Sequence, residues 1–510
     1  MTTSITSASV NVKDFGATGD GVTLDRAAIQ SAIDALNAIY VATGRQQTLA
    51  FSDGVFLLDA VNYLRDDGIT VDGAMSLLLR DGVHLQGRGT LKLMDSAYGP
   101  GAFFRIVASR DATRLSNASI SGITIDGNSA HQLASNQCNN IVLECLDNVV
   151  VDNVTSLNAN GASIMLRGTV DSWMTNCAVR HSKVQGATNI GIQCAQFDGL
   201  RIVGNSVSAC ANNGIDVYGD DGSTTCHGIN FSVVGNVVNG ALVGVFLETV
   251  SHGTVSGNVI ANCTMFGATL NRIHGEPGSI IISGNEINAI PTGVRVTGDT
   301  GGVSIRANSI SDFTDAGVKL GDGAGGGVSY VDVSGNFFRP ASNTVPIIAI
   351  AGAAASFNTG SDNTVLSAGI AASLLCTNTA IAPYQNHVGG FRVLPFQSGP
   401  DIVGQLAQFG AVSSLAGSAK ATALAYDVAI PDNSGGKLMI TGFQAAGAAQ
   451  YAEQPYVKQA GVLVLGTPAV VAGAAAVYAT AGVAGNIRIT PLAAGTDLAW
   501  GLHYVAMPSA

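Results

Sequence analysis

Three carboxylates stand close enough in the chain to suggest acid–base chemistry. Asp216 lies in Gly214-Ile-Asp-Val-Tyr218, Asp220 follows shortly after, and Glu248 closes Gly244-Val-Phe-Leu-Glu248. If the two segments are neighbouring strands, Asp216 and Glu248 sit two residues out of step, with Cβ atoms about 8 Å apart. Asp220 is offset the other way from Glu248 by a similar step. That separation suits glycosidic hydrolysis with inversion, one acid protonating the leaving oxygen while the other activates water. Glu248, beside Phe246 and near Asp216, is the predicted raised carboxyl and so the acid. Gln193, Tyr218, Phe246 and Asn271 would share the same face, aromatic rings for sugar rings and amides for hydroxyls. Arg272, Arg295 and Lys319 could form a basic strip for a carboxylated sugar. Tyr218 or His252 would then abstract a proton in a β-elimination. The competing reading is a solvated outer wall, its acids keeping the chain soluble and its bases balancing Asp299 and Glu286. No metal site is predicted, since Asp220-Asp221 alone is a poor ligand set, and no cofactor is implied.

A repeat must position these residues. Asn–Gly pairs recur with an offset of eight or nine at Asn153–Gly161, Asn205–Gly214, Asn236–Gly244, Asn258–Gly267, Asn285–Gly293 and Asn308–Gly317. The glycines from Gly191 to Gly317 are spaced by 23, 30, 23, 26 and 24 residues. Such a period, with strands that alternate every second residue, marks a β-solenoid. A strand of four or five residues must stack on its copy in the next unit, about 4.8 Å away. Glycine would supply the sharp corner before each strand, and asparagine a left-handed corner and a side-chain ladder. The expected fold is all-β, a right-handed parallel β-helix of three strands per coil. Regular coils should run from about Ile120 to Phe338. The outward ladder then reads Ser163, Gln193, Asp216, Phe246, Thr269, Arg295, Lys319 at the second position. At the fourth it reads Met165, Ala195, Tyr218, Glu248, Asn271, Thr297.

Composition narrows the class. The chain has 510 residues, 12% of them charged, with 64 glycines, 13 prolines and a net charge of −11. It is not a low-complexity disordered chain, and an acidic balance argues against nucleic acid as a partner. The start, Met-Thr-Thr-Ser-Ile-Thr-Ser-Ala, has no basic or apolar run, so no signal peptide is expected. No stretch is apolar enough to insert in a membrane. The eight cysteines contain no C-x-x-C pair. Cys210 and Cys263 occupy a slot filled elsewhere by Ala187, Ala289 and Phe313, and are read as inward core thiols.

Ahead of the repeats, Thr23 or Asp25 caps a predicted helix ending near Ala38, with Ile29, Ile33, Leu36 and Tyr40 as its apolar stripe. It would cover the open end of the first coil. The string Val12-Lys-Asp-Phe-Gly-Ala-Thr-Gly-Asp-Gly-Val-Thr-Leu-Asp25, continuing Arg-Ala-Ala-Ile-Gln-Ser-Ala-Ile33, resembles the opening of the pectate-lyase-like single-stranded right-handed β-helix superfamily. Bacteriophage tailspikes, exo-acting polygalacturonases and alginate epimerases share that opening. The resemblance covers about 25 residues and implies the fold rather than the reaction. The Asp-Pro-His motif of alginate-type epimerases is absent. Gly219-Asp220-Asp221 with Cys226-His227-Gly228-Ile229 resembles polygalacturonase motifs at the wrong separation, so no role is carried over.

Three segments are expected. Residues 1–45 form the cap and 46–392 the β-helix, with 59–75 an inserted loop. Residues 393–510 form an antiparallel β-sandwich, its strands including Thr422–Ile430, Gly436–Phe443, Val457–Val464 and Gly485–Pro491. A β-helix followed by a small β-domain resembles a phage tailspike. That resemblance implies a homotrimer on a virion tail, alongside other tail proteins, that binds and cleaves a bacterial surface polysaccharide (capsule or O-antigen). The readings left open are hydrolysis, β-elimination on a uronate-containing glycan, and a non-catalytic receptor-binding spike.

Overall fold

Strands of three to eight residues in which apolar and polar side chains alternate can bury one face only, and they do so by stacking. The computed structural model describes residues 9–394 and the strands within 412–506. Within 9–394 the exceptions are 65–70, 110–113, 170–171, 220–227, 273–278, 322–326, 352–354, 356–357, 368–369 and 379–385. Each coil visits three sheets in turn. One coil comprises Met174–Arg180, Lys183–Gln185 and Ile192–Ala195; the next comprises Phe197–Val203, Ser206–Ser208 and Asn213–Tyr218. Every strand pairs in parallel with its counterpart one coil on, as in Val179 with Ile202, Val184 with Val207 and Cys194 with Val217. The fold is a right-handed parallel β-helix built of three long sheets.

Stacking starts earlier than the expected 46–392. Ser9–Asn11 and Asp20–Leu24 are already the first strands of the first and second sheets. The helix Arg26–Thr43 takes the third place in that coil. It runs past Ala38 and stops at Gly44, which adopts φ 69° and returns its N–H to the Tyr40 carbonyl. Asp25 sits at the N-cap, but its carboxylate serves the preceding loop, accepting from Thr18 N at 2.7 Å and Gly19 N at 3.0 Å. Ile29, Ile33 and Leu36 are fully buried. Gln30, also buried, ties the lid to the wall: it accepts from Leu78 N at 2.8 Å and donates to Leu78 O at 3.0 Å. The stretch expected as a loop at 59–75 is instead an antiparallel pair, Val61–Leu64 with Val71–Leu78, and the latter strand is a rung of the third sheet. Beyond Phe338 the sheets continue through Ile348–Ile350, Thr364–Leu366 and Arg392–Leu394.

The asparagines form the predicted ladder, though not at a left-handed corner. Asn205, Asn236, Asn258, Asn285, Asn308, Asn336 and Asn363 are stacked and buried. From Asn236 onward each side-chain oxygen accepts from both the backbone N–H and the Nδ2 of the preceding coil's asparagine; Asn285 Oδ1 takes Asn258 N at 3.0 Å and Asn258 Nδ2 at 2.9 Å. The same Nδ2 reaches the Val233 carbonyl at 2.9 Å. Ser182 starts the ladder, accepting from Val154 N at 3.1 Å and passing its own N–H to Asn205 Oδ1 at 2.9 Å. The left-handed corner falls one residue earlier, on Gly204 and Gly235, and on Asn153 in the first of these coils. Asn153 is therefore a corner residue and not a rung.

The repeat glycines are required for space. A Cβ on Gly244 would stand 2.3 Å from Ile260 Cγ2 and 2.5 Å from the Gly267 carbonyl oxygen. At that corner the third sheet passes so close to the second that only hydrogen fits. Most described cysteines are buried free thiols, and burial pushes Cys210 and Cys263 up to about 11. Ala289 is exposed with φ 54°, and Ile290 fills the inward slot instead.

The chain divides into two compact units, Met1–Pro395 and Phe396–Ala510. The second holds two antiparallel sheets, one built on Val412–Thr422, Thr496–Ala506, Ser434–Gln444 and Ala449–Gln459, the other on Tyr426–Ala429, Asn486–Pro491 and Tyr478–Val483. The expected strand Val457–Val464 is instead parts of two antiparallel partners, Ala449–Gln459 and Val462–Leu465. No helix among the described residues is long and apolar enough to cross a membrane.

Replacing Asn258 by Ala strands two donors of Asn236 and should lower stability by about 2–4 kcal/mol. Gly244→Ala should destabilise by about 1–3 kcal/mol through overpacking. Gly235→Asn, at φ 65° with open space around it, should change stability by less than about 1 kcal/mol. Urea midpoints of the three variants check this ordering.

Candidate active site

The third sheet carries the candidate residues on its outer face. In strand Asn213–Tyr218, Ile215 and Val217 point into the core, and Asp216 and Tyr218 take the opposite face. Strand Val243–Glu248 does the same, with Val245 and Leu247 inward. The register pairs Asp216 with Phe246 and Tyr218 with Glu248. Asp216 and Glu248 are thus on adjacent rungs and two residues out of step, which places their Cβ atoms about 8 Å apart.

One row reads Met165, Gln193, Asp216, Phe246, Thr269, Arg295, Lys319. The next reads Glu144, Arg167, Ala195, Tyr218, Glu248, Asn271, Thr297. The rows match the sequence-based ladder from Gly191 onward. In the coil of Gly161 the ladder was two residues out: Ser163 is fully buried, Met165 stands beside Gln193, and Arg167 stands beside Ala195.

Asp216 is the buried member of the carboxylate pair, only 6% exposed on a face that should be open. Gln193 Nε2 donates to its Oδ2 at 3.1 Å, while Oδ1 is buried without a hydrogen-bond partner among the described residues. Burial pushes this carboxyl up to about 6; the Gln193 and Asn213 side chains pull it down, and the nearby Glu248 charge adds to the rise. The sequence pointed to Glu248 as the raised acid; the structure buries Asp216 instead, because Asp216 lies between Gln193 and the Phe246 ring in its row. Glu248 is half-buried and accepts from Asn271 Nδ2 at 2.6 Å. Thr269, next to Phe246, buries a hydroxyl that also lacks a partner among the described residues.

Five expected residues, Gln193, Tyr218, Phe246, Asn271 and Glu248, are therefore gathered around Asp216. The basic strip is not continuous. Arg295 lies over the Phe266 ring, 4.7 Å from its centroid. Lys319 is ion-paired with Asp315 at 3.0 Å. Arg272 is exposed at the corner after its strand, at φ 51°. Asp220 lies outside the described residues, as do Asp221 and His274. Among the described residues no group of three or more acids, histidines and cysteines could hold a metal ion.

Sequence reasoning missed a second charged group on this face. Glu144 is 1% exposed, with Arg105 Nη1 at 3.3 Å from its Oε2 and Arg167 Nε bonded to its Oε1. The inward pairs Ile164/Leu166, Ile192/Cys194 and Ile215/Val217 align these strands even where the glycine is displaced, and would have placed Arg167 correctly.

Known proteins share this architecture. The A-modules of the Azotobacter vinelandii mannuronan C-5 epimerases AlgE6 and AlgE4 match with TM-scores of 0.55 and 0.54, each at 21% identity over 76% of this chain and 100% of theirs. Gene product 12 of bacteriophage phi29, in its pre-mature form, matches with a TM-score of 0.50 at 16% identity, over 79% of this chain and 58% of that one. The family described as rhamnogalacturonase A/epimerase, pectate lyase-like matches residues 9–269, which hold the capping helix, the carboxylate pair and the wall around it. The chain belongs to that rhamnogalacturonase A/epimerase, pectate lyase-like family.

Proposed function

We propose that this protein binds a polysaccharide along the outer face of its third sheet and cleaves it by hydrolysis with inversion. Asp216 serves as general acid and Glu248 as base. The observation that carries the reading is the Asp216 carboxyl, buried in an outward position, pushed up to about 6 and one rung from Glu248. A carboxyl near that value is protonated often enough near neutrality to give its proton to a leaving oxygen. Its Oδ1, without a hydrogen-bond partner among the described residues, is the atom available to do so. Glu248, more exposed and oriented by Asn271, has room for a water at the separation that inversion needs. Tyr218 and Phe246 on neighbouring rungs offer faces for sugar rings. The setting we infer is a bacteriophage particle acting on a capsule or O-antigen, supported by the likeness to the phi29 protein and by the β-domain that follows the helix.

A second reading is β-elimination. It is favoured by Tyr218, which stands beside Glu248 in register, and by Arg295, held over Phe266 and able to meet a uronate.

The test incubates the purified protein with a panel of capsular and O-antigen polysaccharides and follows products by mass and ultraviolet absorbance. Saturated fragments with inverted anomeric configuration support hydrolysis, and unsaturated fragments support elimination. No fragments from any glycan would leave only a binding shaft. Asp216→Asn and Glu248→Gln should each lower kcat by about 10²–10⁴-fold with binding retained. The acid must be protonated, so kcat/KM should fall as pH rises through about 6. Stability should fall in the same direction of pH as activity. The folded pKa of Asp216 is raised, so the folded state binds the extra proton, and stability is lost as pH climbs from about 4 to about 6. Asp216→Asn should therefore raise stability at pH 7 by about 1–3 kcal/mol, read as a higher melting temperature. A melting temperature unchanged in that variant would remove Asp216 as a strained acid.

A further inference from the structure

The two carboxylates of the pair stand at opposite corners of a small block on the third sheet. Asp216 and Phe246 are neighbours in one row, Tyr218 and Glu248 in the next, so the acids take one diagonal and the rings the other. An amide closes each end of this block. Gln193 is the rung before Asp216 in its row, and Asn271 is the rung after Glu248 in its row. Gln193 Nε2 donates to Asp216 Oδ2 at 3.1 Å, and Asn271 Nδ2 donates to Glu248 Oε1 at 2.6 Å. Each amide thus holds one oxygen of its carboxyl from the outer end and turns the second oxygen toward the middle. At Asp216 that second oxygen, Oδ1, is buried without a hydrogen-bond partner among the described residues.

The chemical type of the partner matters as much as its place. Elsewhere on this sheet acids meet cations: Glu144 is met by Arg105 and Arg167, and Asp315 by Lys319. A cation beside Asp216 would hold its carboxyl ionised and useless as an acid. An amide donates a hydrogen bond without adding charge. A protonated carboxyl has one carbonyl oxygen that accepts and one hydroxyl oxygen that donates. A donor fixed on Oδ2 makes Oδ2 the carbonyl and leaves the proton on Oδ1. On the strands flanking Asn213–Tyr218 the ionisable side chains are Glu248, on the same face, and Cys194, in the core. Burial holds the Cys194 thiol well above its usual value and so neutral. Tyr218 shares the strand of Asp216, and the segments packed against it from the second sheet, Ser206–Ser208 and Val237–Asn239, carry no ionisable side chain. Gln193 and Asn213 are the side chains that pull the Asp216 carboxyl down against burial.

We infer that Gln193 is a positioning residue for the proposed hydrolysis: by holding Asp216 Oδ2 it places the acid's proton on Oδ1, toward Glu248, while Asn271 holds the base from the opposite end. This rests on the reading of Asp216 as the acid.

Gln193→Met removes the donor and keeps the length of the side chain. On a glycan that the wild type cleaves, kcat should fall about tenfold or more with KM within about twofold of wild type. The alkaline limb of kcat/KM should move to higher pH, because a donor that favours the ionised form is gone. A second measurement needs no glycan. Melting temperatures of wild type, Gln193→Met, Asp216→Asn and the double variant are compared from about pH 4 to about pH 7. The part of the gain from Asp216→Asn that appears over that range should be larger in the Gln193→Met background. Circular dichroism checks that each variant keeps its fold. A Gln193→Met enzyme with unchanged kcat and alkaline limb overturns the inference, as does one in which KM alone has risen. If the wild type cleaves no glycan offered, the melting comparison decides, and an equal pH-dependent gain in both backgrounds overturns it. Cleavage retained by Asp216→Asn removes the acid assignment beneath the inference; cleavage lost there but unaltered in Gln193→Met removes the inference alone.

Discussion

Coil-to-coil register governs everything else in this molecule. Side chains on a strand alternate faces, so a slip of one residue would turn a whole rung inside out. Two devices hold the register. The first is the asparagine ladder, in which an amide oxygen takes two donors from the preceding coil's asparagine and each amide nitrogen also bonds a backbone carbonyl of the adjacent coil. These buried amides have no water to fall back on, so a mispaired coil would leave several polar groups unsatisfied at once. The second is the column of glycines, where the third sheet meets the second without room for a Cβ. Together they bring residues more than twenty positions apart to neighbouring places on one wall.

That wall departs from ordinary solvated surface at two points. At Asp216 a carboxylate is withdrawn from water between an amide and an aromatic ring, and its charged form is disfavoured. At Glu144 a carboxylate is withdrawn further and neutralised by arginines on two flanking strands. The same wall thus stores an acid that is easier to protonate and a cation that is fixed in place. Burying either group opposes folding, and the long, mutually supporting sheets on both sides supply the stability that allows it.

Much of this was legible in the residues alone. The period and the alternation predict a parallel β-helix, and the spacing from Gly191 to Gly317 places Asp216 beside Glu248 correctly, because each of those coils keeps the same distance between glycine and strand. Where a coil breaks that distance the reading slips: Gly161 precedes its strand by two extra residues, so Arg167 is set beyond the ladder rather than beside Ala195, and Ser163 is taken for a wall residue. The roles of glycine and asparagine were likewise interchanged at the corners, since composition shows that a residue is small or an amide but not which constraint it answers.

What the sequence by itself determined is the set of strands, their inward faces and their order of stacking, all consequences of a local period. What only the tertiary structure decided is the state of each outward charge. Burial depends on which side chains stand on the rungs above and below, and those come from distant parts of the chain. Hence the acid that is withdrawn from water proved to be Asp216 and not Glu248, Lys319 proved to be neutralised by Asp315, and the two arginines around Glu144 proved to be one group. Each depends on desolvation and on partners across strands, which no single strand encodes.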